Sequence, residues 1–80
     1  MKNKGESLPE LVRYNTVKAF LDGRGFQFFA LPPWTPYSEF ATKKQKLRLW
    51  TEGFQDEAFL ECLSKEQASL VIDRLVAKKR

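Results

Sequence analysis

Three times in this chain a serine or threonine is followed, three residues on, by glutamate or glutamine: Ser7 with Glu10, Thr42 with Gln45, and Ser64 with Gln67. Each pair has the spacing of a capping box. The hydroxyl accepts from the backbone N–H of the third residue, whose side chain reaches back to the backbone N–H of the first, so two helix-end donors are satisfied together. A helix is predicted to begin at each site, and apolar residues at three- and four-residue steps follow all three. The spacing predicts helices near 8–22, 43–52 and 65–77 and hence a mainly α fold. This gives one small three-helix domain over 7–77, after a disordered start at 1–6 and before a basic tail at 78–80.

The last helix is the expected anchor. Ala68, Val71, Ile72, Leu75 and Val76 fall in one stripe, with Lys65, Ser69, Asp73 and Arg74 outside it. In the first helix Pro9 suits the opening turn, and Gly23 is expected to take the left-handed closing position with Phe26 folding back. Its apolar positions, Leu8, Leu11, Val12, Tyr14, Val17, Phe20 and Leu21, do not share one narrow stripe, which implies cover on two sides or a break near Asn15. The competing pattern makes Asp22 and Gly23 a hairpin turn between strands 16–21 and 26–31. In the middle helix Leu47, Trp50 and, beyond Gly53, Phe54 are expected on the inner side.

Phe26 to Leu31 has the aromatic composition and flanking breakers of a short strand. Its backbone needs a partner, either residues 58–63 as a second strand, which gives an α+β alternative, or the same strand of a second copy in a homodimer. Residues 54–63 otherwise suit a loop with a turn of helix after Asp56. Between strand and middle helix, Pro32, Pro33 and Pro36 exclude helix and favour an extended, polyproline-like strap. At three residues per turn Trp34, Tyr37 and Phe40 would face one way. Two readings stand: the aromatics seal the core, or they form an exposed ridge on which bases or a partner's side chains stack.

Eighty residues suffice for one modest core. No apolar run approaches a membrane span of about 18 residues, no membrane association is expected, and the basic start lacks the apolar stretch of a secretory signal. Histidine is absent, which removes the commonest general base and metal ligand. The expectation is therefore a non-enzyme with no cofactor and no metal. Cys62 is the single cysteine, so an internal disulfide is impossible and the cytoplasm is the expected compartment. It lies among Phe59, Leu60 and Leu63 and is read as a buried, inert thiol. Asp56, Glu57 and Glu61 match no cation-binding loop, and Gly23-Arg24-Gly25 is too short for a phosphate-binding loop and is read as a turn.

The net charge of +4 is unevenly placed: residues 1–40 carry five basic and four acidic side chains, and residues 41–80 carry nine and six. Lys43, Lys44, Lys46 and Arg48 crowd one helix start, where cations oppose the helix dipole and Lys44 and Arg48 repel at four-residue spacing. An anionic partner would relieve that cost, whereas a solvated lysine-rich face would simply carry it. Lys78, Lys79 and Arg80 add a second basic cluster.

From Ala41 onward the chain resembles a short helical segment that recurs in bacterial and phage proteins of DNA replication, recombination and repair. That segment runs Ala-Thr-x-x-Gln, then Leu and Gly, then Leu-Ser-Lys-x-x-Ala-Ser-x-x-Ile-x-x-Leu. Here the matching residues are Ala41, Thr42, Gln45, Leu49 and Gly53, then Leu63, Ser64, Lys65, Ala68, Ser69, Ile72 and Leu75. Glu52 departs from the pattern, which has an aliphatic residue there. The resemblance implies association with DNA-handling proteins and no particular activity. The expected function is a non-catalytic nucleic-acid-associated module, of the kind found as accessory or regulatory proteins of phages and mobile elements. It would bind phosphates through Lys43, Lys44, Lys46, Arg48, Lys78, Lys79 and Arg80. The alternative is a protein-interaction module, adaptor or inhibitor, docking through Trp34, Tyr37 and Phe40.

Overall fold

A computed structural model describes residues 8–26 and 31–78. The Ser7 cap, residues 1–6, most of the predicted strand at 26–31, and Lys79 and Arg80 lie outside the described residues. The fold is mainly α, with four helices among the described residues: α1 (Glu10–Gly23), α2 (Lys43–Thr51), α3 (Glu57–Cys62) and α4 (Lys65–Lys78). None of them is long and apolar enough to cross a membrane. The helices pack in alternation, α1 on α3 and α2 on α4.

Two of the predicted capping boxes form. At α2, Gln45 N–H donates to Thr42 Oγ1 (3.1 Å) and Thr42 N–H donates to Gln45 Oε1 (3.0 Å). At α4, Gln67 N–H donates to Ser64 Oγ (3.1 Å) and Ser64 N–H donates to Gln67 Oε1 (3.0 Å). The residues just ahead of the two helices pair antiparallel, Phe40 with Ser64. Ala41 N–H donates to the Leu63 carbonyl (3.0 Å) and Lys65 N–H to the Glu39 carbonyl (2.8 Å), so the two helix starts are laced together.

Each capping glutamine spends its amide oxygen on the cap and its amide nitrogen elsewhere. Gln45 Nε2 donates to the Lys65 carbonyl (3.3 Å), and Gln67 Nε2 donates to the Pro32 carbonyl in the strap (2.7 Å). Gln67 is 0% exposed, so its amide must be fully partnered. Capping rules treat glutamine and glutamate alike, but this site does not. Gln67→Glu would lose the donor and set a buried carboxylate against a carbonyl oxygen, costing roughly 1–3 kcal/mol or more at neutral pH. The carboxyl would have a raised folded pKa, because burial and the carbonyl disfavour its charged form. The cost should therefore grow as pH rises above the unfolded value of about 4.3 and shrink below it, where the neutral acid can donate to Pro32. Urea unfolding of variant and parent at pH 4 and pH 7 checks this; a difference that does not change with pH rejects it.

α1 starts at Glu10, two residues later than predicted, with Pro9 extended ahead of it. It is continuous through Asn15 and does not turn at Asp22, so neither the break nor the hairpin occurs. Nor is it covered on two sides: Val17 and Leu21 are buried, whereas Leu11 and Val12 are exposed. Gly25, not Gly23, takes the left-handed position (φ +79°). Gly25 N–H donates to the Asp22 carbonyl and Phe26 N–H to the Leu21 carbonyl, so the chain closes in a Schellman motif with Phe26 folded back. α2 ends the same way at Gly53 (φ +102°), with Phe54 N–H on the Leu49 carbonyl (3.0 Å).

Residues 57–62 are helical, so the turn of helix expected after Asp56 forms and the alternative strand at 58–63 does not. Asp56 Oδ1 accepts from Phe59 N–H (3.0 Å), and the short helix buries Phe59, Leu60 and Cys62. Phe59 stacks on Phe20 (centroids 4.2 Å apart), and Phe54 adds an edge contact to Phe20 at 6.0 Å. In α4, Ala68, Val71 and Leu75 are buried as predicted, and Ile72 and Val76 are partly buried at the margin.

Candidate functional site

The strap does not present its three aromatics on one face. Thr35 to Ser38 form a turn, with Ser38 N–H on the Thr35 carbonyl (3.0 Å) and Thr35 N–H on Ser38 Oγ (2.9 Å), which breaks the three-residue register. Tyr37 sits on the turn and is 93% exposed, while Trp34 is only 7% exposed. The Trp34 indole N–H donates to the Cys62 carbonyl (3.1 Å), and its ring lies 4.7 Å from that of partly buried Phe40. The Arg13 guanidinium covers the pair, 4.4 Å from Trp34 and 5.2 Å from Phe40. Trp34 is thus buried, with Phe40 and Arg13 against it, and the expected ridge is reduced to Tyr37. Beneath them Cys62 is a free, buried thiol, held above its ordinary pKa chiefly by burial.

The basic cluster lies on α2. Thr42 and Gln45 start that helix, and its first turn contains no acidic residue. Lys43 and Lys44 are exposed and Lys46 is half-buried. None of the three makes an ion pair among the described residues. Arg48 differs, since its Nε lies 3.4 Å from Glu52 Oε2 one turn on. That pair accounts for Glu52, whose side chain is 13% exposed where the resembling segment has an aliphatic residue. It also offsets the repulsion between Lys44 and Arg48. Lys78 is the last residue of α4, and Lys79 and Arg80 lie outside the described residues.

The inner side of α2 is Leu49, fully buried, not Leu47 and Trp50. Leu47 is 63% exposed and Trp50 42% exposed. The expected register counted from Leu47 and Trp50 through to Phe54, but Gly53 turns the chain before Phe54 and the helical count does not survive it. The Schellman closure carried the right signal, because its two ends, Leu49 and Phe54, habitually meet. Leu47 and Trp50, three residues apart, lie on the same outward face as Lys43, with Lys46 one turn before Trp50. Sequence reasoning found the cations of this face and missed its apolar members.

A groove of about 500 Å³ runs between the strap, the start of α2 and α4, lined by Pro32, Gln45, Lys65, Glu66, Ser69, Leu70 and Asp73. Its two carboxylates oppose an anionic ligand, and Lys65 is already 3.4 Å from Glu39. Among the described residues no group of acidic or cysteine side chains is arranged to hold a metal ion. The outer face of α2 is therefore the candidate site. No known protein family, characterised protein or solved structure matches this chain.

Proposed function

We propose that the protein is a non-catalytic nucleic-acid-associated module that binds phosphates through Lys43, Lys44 and Lys46 on α2. The observation that carries this reading is three cations with no ion-pair partner among the described residues, gathered in the first turn of a helix where the dipole already disfavours them. Polyanion binding turns that local cost into affinity, since each phosphate neutralised releases counterions. The resemblance of residues 41–75 to segments of DNA-handling proteins points the same way. Arg48 contributes less, being shared with Glu52.

Changing Lys43, Lys44 and Lys46 together to glutamine is expected to leave thermal stability unchanged or slightly raised. The same change should weaken oligonucleotide binding and lower the salt slope by roughly two to three units, at about 0.7–0.9 per phosphate contact. Fluorescence anisotropy of labelled oligonucleotides at several salt concentrations measures it. No binding by the parent at low salt, or identical slopes for parent and variant, rejects the reading. Exposed Leu47 favours the second reading, a protein-interaction module, whose affinity would change little with salt.

A further inference from the structure

The chain has two tryptophans, and the fold uses them differently. Trp34 spends its indole N–H on the Cys62 carbonyl and its ring on Phe40 and Arg13. Trp50 makes no aromatic or cation contact, and its indole N–H no hydrogen bond, among the described residues, and it stands 42% exposed on a helix surface. Tryptophan has no helix propensity advantage over alanine or lysine, and the described residues give its ring no aromatic or cationic partner. Its neighbours on the helix are Lys46 one turn before and Leu47 three residues before, with Lys43 a further turn along the same face.

We infer that this face of α2 is a stacking platform for single-stranded nucleic acid, with Trp50 taking an unpaired base, Leu47 extending the apolar floor, and Lys43 and Lys46 taking the flanking phosphates. The inference rests on the proposed nucleic-acid reading and narrows it to unpaired strands. Charge complementarity selects the occupant: an apolar floor bordered by cations fits a ligand with flat faces and a regular row of anions. A duplex hides its base faces in its own stack, so Trp50 has nothing to accept from it beyond the backbone. A wholly apolar partner would leave the lysines buried without counter-charge.

The test measures anisotropy of a labelled dT oligomer, a duplex of the same length and poly-glutamate of matched charge against the parent, Trp50→Ala and Trp50→Phe. Trp50→Ala is expected to lose roughly 5- to 150-fold on the single strand, the range of one base–aromatic stack, and less than about twofold on the duplex. Trp50→Phe should keep binding within a few-fold, because a phenyl ring still stacks, and its remaining tryptophan, buried Trp34, should not be quenched by the oligomer as the parent's emission is. Equal losses on both ligands, no loss on either, or poly-glutamate bound as tightly as dT would overturn the platform and leave phosphate binding by the lysines standing. A parent that binds neither oligonucleotide overturns both.

Discussion

Phe59→Ala should remove roughly 3–5 kcal/mol of stability, the usual cost of emptying a phenyl site in a packed core. Phe59 is fully buried, stacks on Phe20 at 4.2 Å and meets Phe54 at 5.8 Å. Those rings come from α1, α3 and the residue after the α2 cap, so one truncation opens a cavity at the point where three segments converge. Small domains commonly have about 5 kcal/mol to lose. The variant should therefore be largely unfolded at 37 °C, or show a urea midpoint less than half that of the parent. A midpoint within a tenth of the parent's would mean that the ring cluster is not the centre of the core.

Trp34→Ala is expected to cost a similar roughly 3–5 kcal/mol, and Trp34→Phe to divide that figure. The phenyl ring keeps the contact with Phe40 and Arg13, but the Cys62 carbonyl loses its donor, which costs roughly 1–3 kcal/mol if no water replaces it. Urea unfolding of both variants gives the partition. The pair also separates the two tryptophans by role: Trp34→Phe should lower stability and spare oligonucleotide affinity, whereas Trp50→Ala should do the reverse. Loss of affinity by a folded Trp34→Phe protein would return the binding site to the strap.

How much of this was legible in the sequence depends on whether the signal was local. Thr42 with Gln45 and Ser64 with Gln67 mark their helices because both partners of a capping box lie within four residues. The Ala68, Val71 and Leu75 stripe was equally readable. α1's end was misplaced because Gly23 and Gly25 both satisfy the glycine rule, and only the bonds of Gly25 and Phe26 to Asp22 and Leu21 separate them. α3 is ambiguous between helix and strand in the sequence because six residues carry too few turns for a period to show. The Lys43 to Arg48 cluster was visible as charge, but Arg48's engagement with Glu52 and the outward turn of Leu47 and Trp50 depend on which side α4 covers. That is long-range information. Trp34 shows the same limit, since its partner Cys62 lies 28 residues away.

The alternation of helix pairs governs how the chain meets water while it is being made. α1 rests on α3 and α2 on α4. As the chain leaves the ribosome, the first two helices emerge with neither principal partner yet synthesised, so Val17, Leu21 and Leu49 have no completed helix pair to bury them. A cut between α2 and α3 would likewise leave two halves without one of these pairs. The aromatic cluster closes only when Phe59 meets Phe20, and the α2–α4 layer only when α4 is made. Assembly is thus postponed until α4 has been made, when both layers can close, and until then apolar positions such as Leu49 are open to association with other chains.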